Sequence, residues 1–194
     1  MTWHERPACY RKRFRTKYAF FHLTIISKDL KQETISKSDL YAQLAAQLSS
    51  LLAGERDLIA NAANFSSLIF YSLPDLNWAG FYFVKDDELV LGPFQGRPAC
   101  VRIEIGKGVC GTAAAERVAN IVPNVHEFPG HIACDSASNS EIVVPLINGE
   151  RLIGVLDLDS PLFGRFDDED AIGLNRLVSV LVESSELAKG CVAP

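Results

Sequence analysis

Across most of residues 78–159 the apolar side chains come at every second position or in short unbroken runs, whereas before and after that stretch they return every third or fourth. Alternate residues of a strand share a face, and residues three or four apart share the face of a helix. This change of period constrains the fold more than any other feature. It asks for a sheet made from the middle of the chain, with helices from both flanks available to cover it.

The segments can be bounded by their breakers. Ser38-Asp39 opens a helix carrying Leu40, Leu44, Leu48, Leu51 and Leu52 at helical spacing, and Gly54 ends it. A second helix runs from about Asp57 to Tyr71, with Leu58, Ile59, Ala62, Phe65, Leu68 and Ile69 as its apolar stripe, and Pro74-Asp75 closes it. Trp78–Val84 and Leu89–Phe94 read as a hairpin around a turn at 85–88, and Val101–Ile105 alternates as a further strand. Gly106 and Gly108 precede a short Ala-rich helix from Val109 to Arg117. Residues 120–140 read mostly as loop. Glu141–Ile147 and Arg151–Asp159 form another hairpin, with Asn148-Gly149 as its turn signal. A last helix starts at Phe166–Asp170, its acids suited to a helix N-terminus, and carries Ile172, Leu174, Leu177, Val178, Leu181 and Val182. The expected fold is α+β: a central antiparallel sheet of about six strands flanked by helices.

The first 35 residues read differently. Residues 1–37 hold nine Lys/Arg against three Asp/Glu, while the remainder holds ten against twenty-one. Arg11, Lys12, Arg13, Arg15 and Lys17 precede a short apolar stretch ending at Ile26, but His22 interrupts it and no small-residue cleavage site follows. Residues 1–35 are therefore expected to be a disordered extension or the product of a start codon assigned too far upstream. Residues 36–190 form the expected catalytic domain. Its acidic body argues against nucleic acid as a partner. No apolar run approaches the ~20 residues of a membrane-spanning helix. Five cysteines without a CxxC pair do not make a disulfide scaffold in a chain of 194 residues, so a reducing, cytoplasmic setting is expected.

Three cysteines fall in the central third. A lone cysteine is most often a small buried hydrophobe, but these settings are unusual. Cys110 lies in a Gly-Val-Cys-Gly-Thr turn near a helix start, where backbone N–H groups can hold an anion or lower a thiol pKa. Cys134 lies in a polar loop with His131 nearby, a better setting for a reactive thiol than a strand interior. Cys100 follows Gln95-Gly-Arg-Pro-Ala99 and leads a strand. A zinc site from Cys100, Cys110, Cys134 and His131 or His126 is the competing reading, though the spacing matches no standard zinc pattern. Asp157 and Asp159 share one strand face, and counting outward from Asn148-Gly149 brings Glu141 opposite roughly residues 156–158. Both acids facing solvent is the plain alternative. A buried cluster would attract an ammonium group and keep one carboxyl protonated as a proton donor. Trp78 and Tyr82 also share a face, either as core or as a wall for a small apolar group.

Several contiguous segments carry a family resemblance: Asn77-Trp-Ala-Gly-Phe-Tyr82, Leu91-Gly-Pro-Phe-Gln-Gly96, Ala99-Cys100, Gly106-Lys-Gly-Val-Cys-Gly-Thr112, Gly130-His-Ile-Ala-Cys-Asp135, Ala137-Ser-Asn-Ser-Glu141 and Gly154-Val-Leu-Asp-Leu-Asp-Ser160. Over residues 36–187 the chain resembles the free methionine-(R)-sulfoxide reductases. The resemblance implies a GAF domain, often a homodimer, with a small closed pocket for free methionine sulfoxide. It implies Cys134 as nucleophile, Cys100 as the resolving cysteine and Cys110 as a third thiol with an auxiliary or second resolving role. It implies Glu141, Asp157 and Asp159 as substrate-binding carboxylates, and Trp78 and Tyr82 as aromatic walls. No metal or organic cofactor is expected, and thioredoxin or another dithiol would supply the electrons. Two other functions fit the residues less well: a GAF module that binds or senses without turnover, and a cysteine hydrolase using Cys134 and His131.

Overall fold

Ser36, not Ser38, caps the first helix: its hydroxyl accepts a hydrogen bond from the Asp39 amide at 3.1 Å, and α1 runs over Lys37–Leu51. The computed structural model describes residues 35–132 and 135–187. Residues 1–34, on which most of the expected extension falls, lie outside them, as do Cys9, Cys134 and Cys191. In α1 the side chains of Leu44, Leu48 and the C-cap Leu52 are buried, while Leu51 falls off the buried stripe and is exposed. Helix α2 (Leu58–Ser72) is capped by Asp57 and buries Ala62, Phe65 and Ile69; Ile59 is exposed.

The strands are β1 (Trp78–Lys85), β2 (Glu88–Gly96), β3 (Arg102–Glu104), β4 (Asn120–Val122), β5 (Ser140–Asn148) and β6 (Arg151–Ser160). They form one sheet in the order β3-β2-β1-β6-β5-β4, with every neighbouring pair antiparallel. The β1–β2 turn is Asp86-Asp87, and both residues take the left-handed conformation, with φ of 50° and 63°, that two-residue hairpin turns favour. Strand β4 lies where a loop is expected from sequence. Its three residues are too few to show a period, and it exists because Val122 pairs with Glu141 at the edge of β5.

Alternation along the strands sorts the core into two layers. Ala79, Phe81, Ile142, Val144, Leu146, Leu156 and Leu158 face one side and pack under α1, α2 and the last helix, α4 (Asp168–Ser184). Trp78, Tyr82, Val143 and Val155 face the other side and pack against α3 (Gly108–Glu116). Burial of this apolar surface on both faces is the main stabilising contribution. α4 begins with a capping box, Asp167 accepting from the amides of Glu169 and Asp170 while Asp170 accepts from the Asp167 amide. Asp170 is buried, and it also accepts from the Tyr41 hydroxyl at 2.8 Å and from Lys37 at 2.6 Å, which fastens α1 to the start of α4.

Candidate active site

The layer under α3 contains a cavity, and the β5–β6 register decides what lines it. Asn148 pairs with Arg151, so the turn residues are Gly149 and Glu150, one position beyond the Asn148-Gly149 turn read from sequence. A bulge between Leu146 and Ile147 leaves Ile153 as an extra residue on β6, since Leu146 pairs with Gly154 and Ile147 with Leu152. Together these shifts bring Glu141 opposite Asp159 and Val143 opposite Asp157, just past the expected span of 156–158. Directly opposed residues share a face, as do residues two apart on a strand. Glu141, Asp157 and Asp159 therefore all project into the cavity.

Strand β1 supplies the facing wall. Trp78 pairs with Asp159 and Gly80 with Asp157, and Tyr82 follows on the same face. A Cβ on Gly80 would lie 2.7 Å from the Trp78 ring and 2.3 Å from Phe94 Cβ, so only glycine leaves space for the indole to lie over this position. The Trp78 ring stacks on Phe94 and Tyr82, with centroids 5.4 and 5.9 Å apart, and its Nε1 donates to the Arg97 carbonyl at 3.1 Å. Both aromatic residues are buried and line the cavity, which serves the core and wall readings at once.

Helix α3 delivers Cys110. Gly111, beside it, packs so closely that a Cβ there would meet the Glu104 carbonyl oxygen at 2.3 Å. This brings the Cys110 thiol, buried, to 4.0 Å from Glu141 Oε1. The glycine-rich helix start suggested a lowered thiol pKa. Burial and the neighbouring Asp157 and Glu141 push it up instead, because both disfavour a thiolate. Cys110 is held as a neutral thiol beside the acids.

The acids themselves are pushed the same way. Burial raises Glu141, Asp157 and Asp159 well above the ordinary carboxylate range, and each is raised further by a neighbouring carboxyl, Asp159 for Glu141, Glu141 for Asp157 and Asp157 for Asp159. Asp157 Oδ1 is buried and accepts no hydrogen bond among the described residues. Such an atom is costly unless a donor reaches it. His131 lies with Nε2 3.6 Å from Glu141 Oε2, and burial lowers its pKa, so it stands neutral beside the carboxyl. Donor atoms of Cys110, Glu141 and Asp157 lie within 4.8 Å of one another. A metal there would need those groups deprotonated, against the direction in which burial drives all three. Among the described residues Cys100, His126 and His131 do not join this group, and Cys134 lies outside them.

The remaining sequence candidates fall around this centre. Pro98 and Ala99 line the cavity, and Cys100, half-buried, packs against the same apolar cluster. Cys134 lies outside the described residues, but Ile132 and Asp135 on either side of it line the cavity, as does Lys107. Sequence reasoning assigned no role to Asn77, Asp135 or Ser138. The Asn77 amide donates to Asp135 Oδ2 at 3.3 Å and to Ser138 Oγ at 2.9 Å, so these residues brace the loop against the start of β1. Their signal in the sequence is weak, because polar residues at strand ends and in loops follow no period.

A six-stranded antiparallel sheet with helices on both faces and a cavity under one of them is the architecture of a GAF domain, and the GAF domain model matches residues 65–182. The similarity narrows further. The free methionine-R-sulfoxide reductase of Escherichia coli K12 is 55% identical over 147 residues, covering 76% of this chain and 89% of that protein. The substrate complex of the Staphylococcus aureus protein is 49% identical with a TM-score of 0.72, covering 74% of this chain and 94% of that one. The Neisseria meningitidis free methionine-R-sulfoxide reductase in complex with its substrate is 44% identical with a TM-score of 0.75, covering 80% and 94%. The chain belongs to the free methionine-R-sulfoxide reductases, a family of oxidoreductases built on the GAF domain.

Proposed function

We propose that this protein reduces free L-methionine-(R)-sulfoxide to methionine with its own thiols. One observation carries the reading: three buried carboxyl groups with raised pKa values line one cavity together with the aromatic residues Trp78 and Tyr82. That combination suits a small zwitterion with an apolar methyl end and an oxygen that must be protonated. Trp78 and Tyr82 take the S-methyl group. An ionised member of the carboxyl cluster takes the ammonium group, and Lys107 with the backbone N–H groups of the glycine-rich turn takes the carboxylate. A cavity that closes around both charged ends leaves no path for a peptide chain.

A sulfoxide sulfur is a poor electrophile until its oxygen carries a proton. A carboxyl kept neutral by burial and by its neighbours is a proton donor at physiological pH. Asp157, which lines the cavity and whose buried Oδ1 accepts no hydrogen bond among the described residues, is the member we assign to this contact. The thiolate of Cys134 attacks the protonated sulfoxide sulfur, forming an S–S bond. The hydroxyl then passes from the methionine sulfur to the Cys134 sulfur, the S–O bond and the new S–S bond both breaking, which releases methionine and leaves a sulfenic acid. The Cys100 thiol then attacks that sulfur, expelling water and forming a disulfide. Overall, one sulfoxide is reduced, two thiols are oxidised and one water is made. Cys110, a neutral thiol against the acids, serves as an auxiliary. An external dithiol, thioredoxin in the cytoplasm, reopens the disulfide by exchange. The assembly we expect is a homodimer of such domains.

The test is to incubate purified protein with the R and S epimers of free L-methionine sulfoxide, each with dithiothreitol or thioredoxin, and to quantify methionine by chromatography. Methionine from the R epimer is expected, with little or none from the S epimer or from an N-acetylated peptide. Binding of the R epimer without turnover would instead make the cavity a sensor site.

A further inference from the structure

We propose that Ser138, held by Asn77, is a specificity-determining positioning residue: it commits its one hydroxyl proton to the Asp159 carboxylate and so makes Asp159 the member of the cluster that receives the substrate's ammonium group. The proposal rests on the reading above, in which a small zwitterion fills this cavity.

Three strand ends meet at this point. Asn77 immediately precedes β1, Ser138 stands two residues before β5, and Asp159 lies next to the end of β6. The three strands are neighbours in the sheet, with β6 in the middle. The Asn77 backbone N–H donates to the Asp159 carbonyl at 3.0 Å, which fixes Asn77 against β6. Its side-chain Nδ2 donates to Asp135 Oδ2 at 3.3 Å and to Ser138 Oγ at 2.9 Å. Ser138, only 4% exposed, donates in turn to the Asp159 carboxylate.

The polarity of this chain of hydrogen bonds is set from its outer end. The Ala137 amide, the Asn77 amide and Arg97 hold the Asp135 carboxyl below its ordinary range, so it is ionised and can only accept. Asn77 must therefore turn its NH2 group towards Asp135, although this leaves its Oδ1 buried with no hydrogen-bond partner among the described residues. The same NH2 group meets Ser138 Oγ, and to that atom it can only donate. A hydroxyl has one proton. With Asn77 on its acceptor side, Ser138 keeps that proton for Asp159.

The three acids are thereby made unequal. Glu141 and Asp157 are buried, whereas Asp159 is half-buried. Burial and then Asp157 push the Asp159 carboxyl up, and the Ser138 hydrogen bond opposes them because it favours the charged form. Glu141 is supported in the same sense by Asp157, but that donor is the carboxyl whose proton goes to the sulfoxide. The Ser138 hydroxyl does not titrate, so its support of Asp159 lasts through the reaction. Asp159 lines the cavity and is free to meet a cation there. A ligand without an ammonium group gains nothing from this arrangement.

Titration calorimetry at neutral pH compares L-methionine, which carries the ammonium group and cannot be reduced further, with desamino-methionine, the same molecule without it. In Ser138→Ala the Kd of L-methionine should rise about tenfold while that of desamino-methionine changes by less than about twofold. Ser138→Thr keeps the hydroxyl and should bind both ligands within about threefold of the unaltered protein. In an Asp159→Asn background, Ser138→Ala should weaken L-methionine little further, because the group it acts through is gone. Equal weakening of both ligands in Ser138→Ala, unchanged binding of L-methionine, the same loss in Ser138→Thr, or an undiminished loss beside Asp159→Asn would overturn the assignment. An unaltered protein that shows the expected ligand preference but releases no methionine from the R sulfoxide would remove the reductase reading and leave Ser138 in its role.

Discussion

Asp157 bears the sharpest conflict between stability and chemistry in the molecule. It is buried, one of its oxygens has no hydrogen-bond partner among the described residues, and burial with a neighbouring Glu141 drives it towards the neutral acid. Asn has nearly the same shape and no ionisable proton. Asp157→Asn should therefore lower kcat/KM for the free R sulfoxide by about a hundredfold or more. It should at the same time stabilise the fold at alkaline pH by about 1–3 kcal/mol, because no buried charge can then form. Thermal melting and steady-state kinetics on the same preparation check both. A loss of activity together with a loss of stability would mean the residue is merely structural. The acids are visible in the sequence as an Asp-x-Asp pair at the end of an apolar strand, and Glu141 as their neighbour across the hairpin. Their sharing of the cavity with Cys110 is not, because α3 reaches β5 and β6 by a tertiary contact that leaves no local pattern.

At the scale of elements, caps and close approaches fix where side chains point. The α4 capping box is made by Asp167, which is far from the cavity and also meets Lys37 at 2.7 Å. Asp167→Ala should cost about 1 kcal/mol and lower Tm by a few degrees, with kcat and KM unchanged. Gly111→Ala should act differently. The added Cβ meets the Glu104 carbonyl, a backbone group that cannot swing aside, so α3 must move and carry Cys110 with it. A loss of about 1–3 kcal/mol is expected, accompanied by weaker substrate binding, which urea unfolding and KM together would detect. The helices and the two hairpins were legible from period and breakers. The exposed Leu51, Ile59 and Ile172 show where an apolar residue at roughly helical spacing still misses the buried stripe. The β6 bulge was not legible either, since an extra residue in a strand leaves the alternation readable on both sides of it. Register is set by pairing with the neighbouring strand and by the turn, which is why Glu141 met Asp159 rather than its expected partners.

For the whole molecule, the acids with raised and with lowered pKa values pull stability in opposite directions with pH. Glu141, Asp157 and Asp159 are raised, so the folded chain binds protons that the unfolded chain releases. Their contribution is fully present below the unfolded carboxyl values and is lost as pH rises through the folded ones. Asp135 and Asp167 are lowered below the ordinary 3.8, so their contribution is present above that value and is lost on further acidification. Melting temperature should therefore fall on the acid side below about pH 4 and fall again towards alkaline pH, with the alkaline fall reduced in Asp157→Asn. A substrate ammonium among the carboxylates should also reduce it, so the free R sulfoxide should raise Tm most at high pH.

The central claim is that this chain reduces free methionine-(R)-sulfoxide with its own thiols, and the most direct measurement is stoichiometric. Fully reduced protein, freed of external reductant, is mixed with excess R sulfoxide, and methionine released and thiols remaining are counted per chain. The account predicts one methionine and the loss of two thiols, with the disulfide joining Cys134 to Cys100 by peptide mapping. Substrate that binds while every thiol stays reduced and no methionine appears would contradict it.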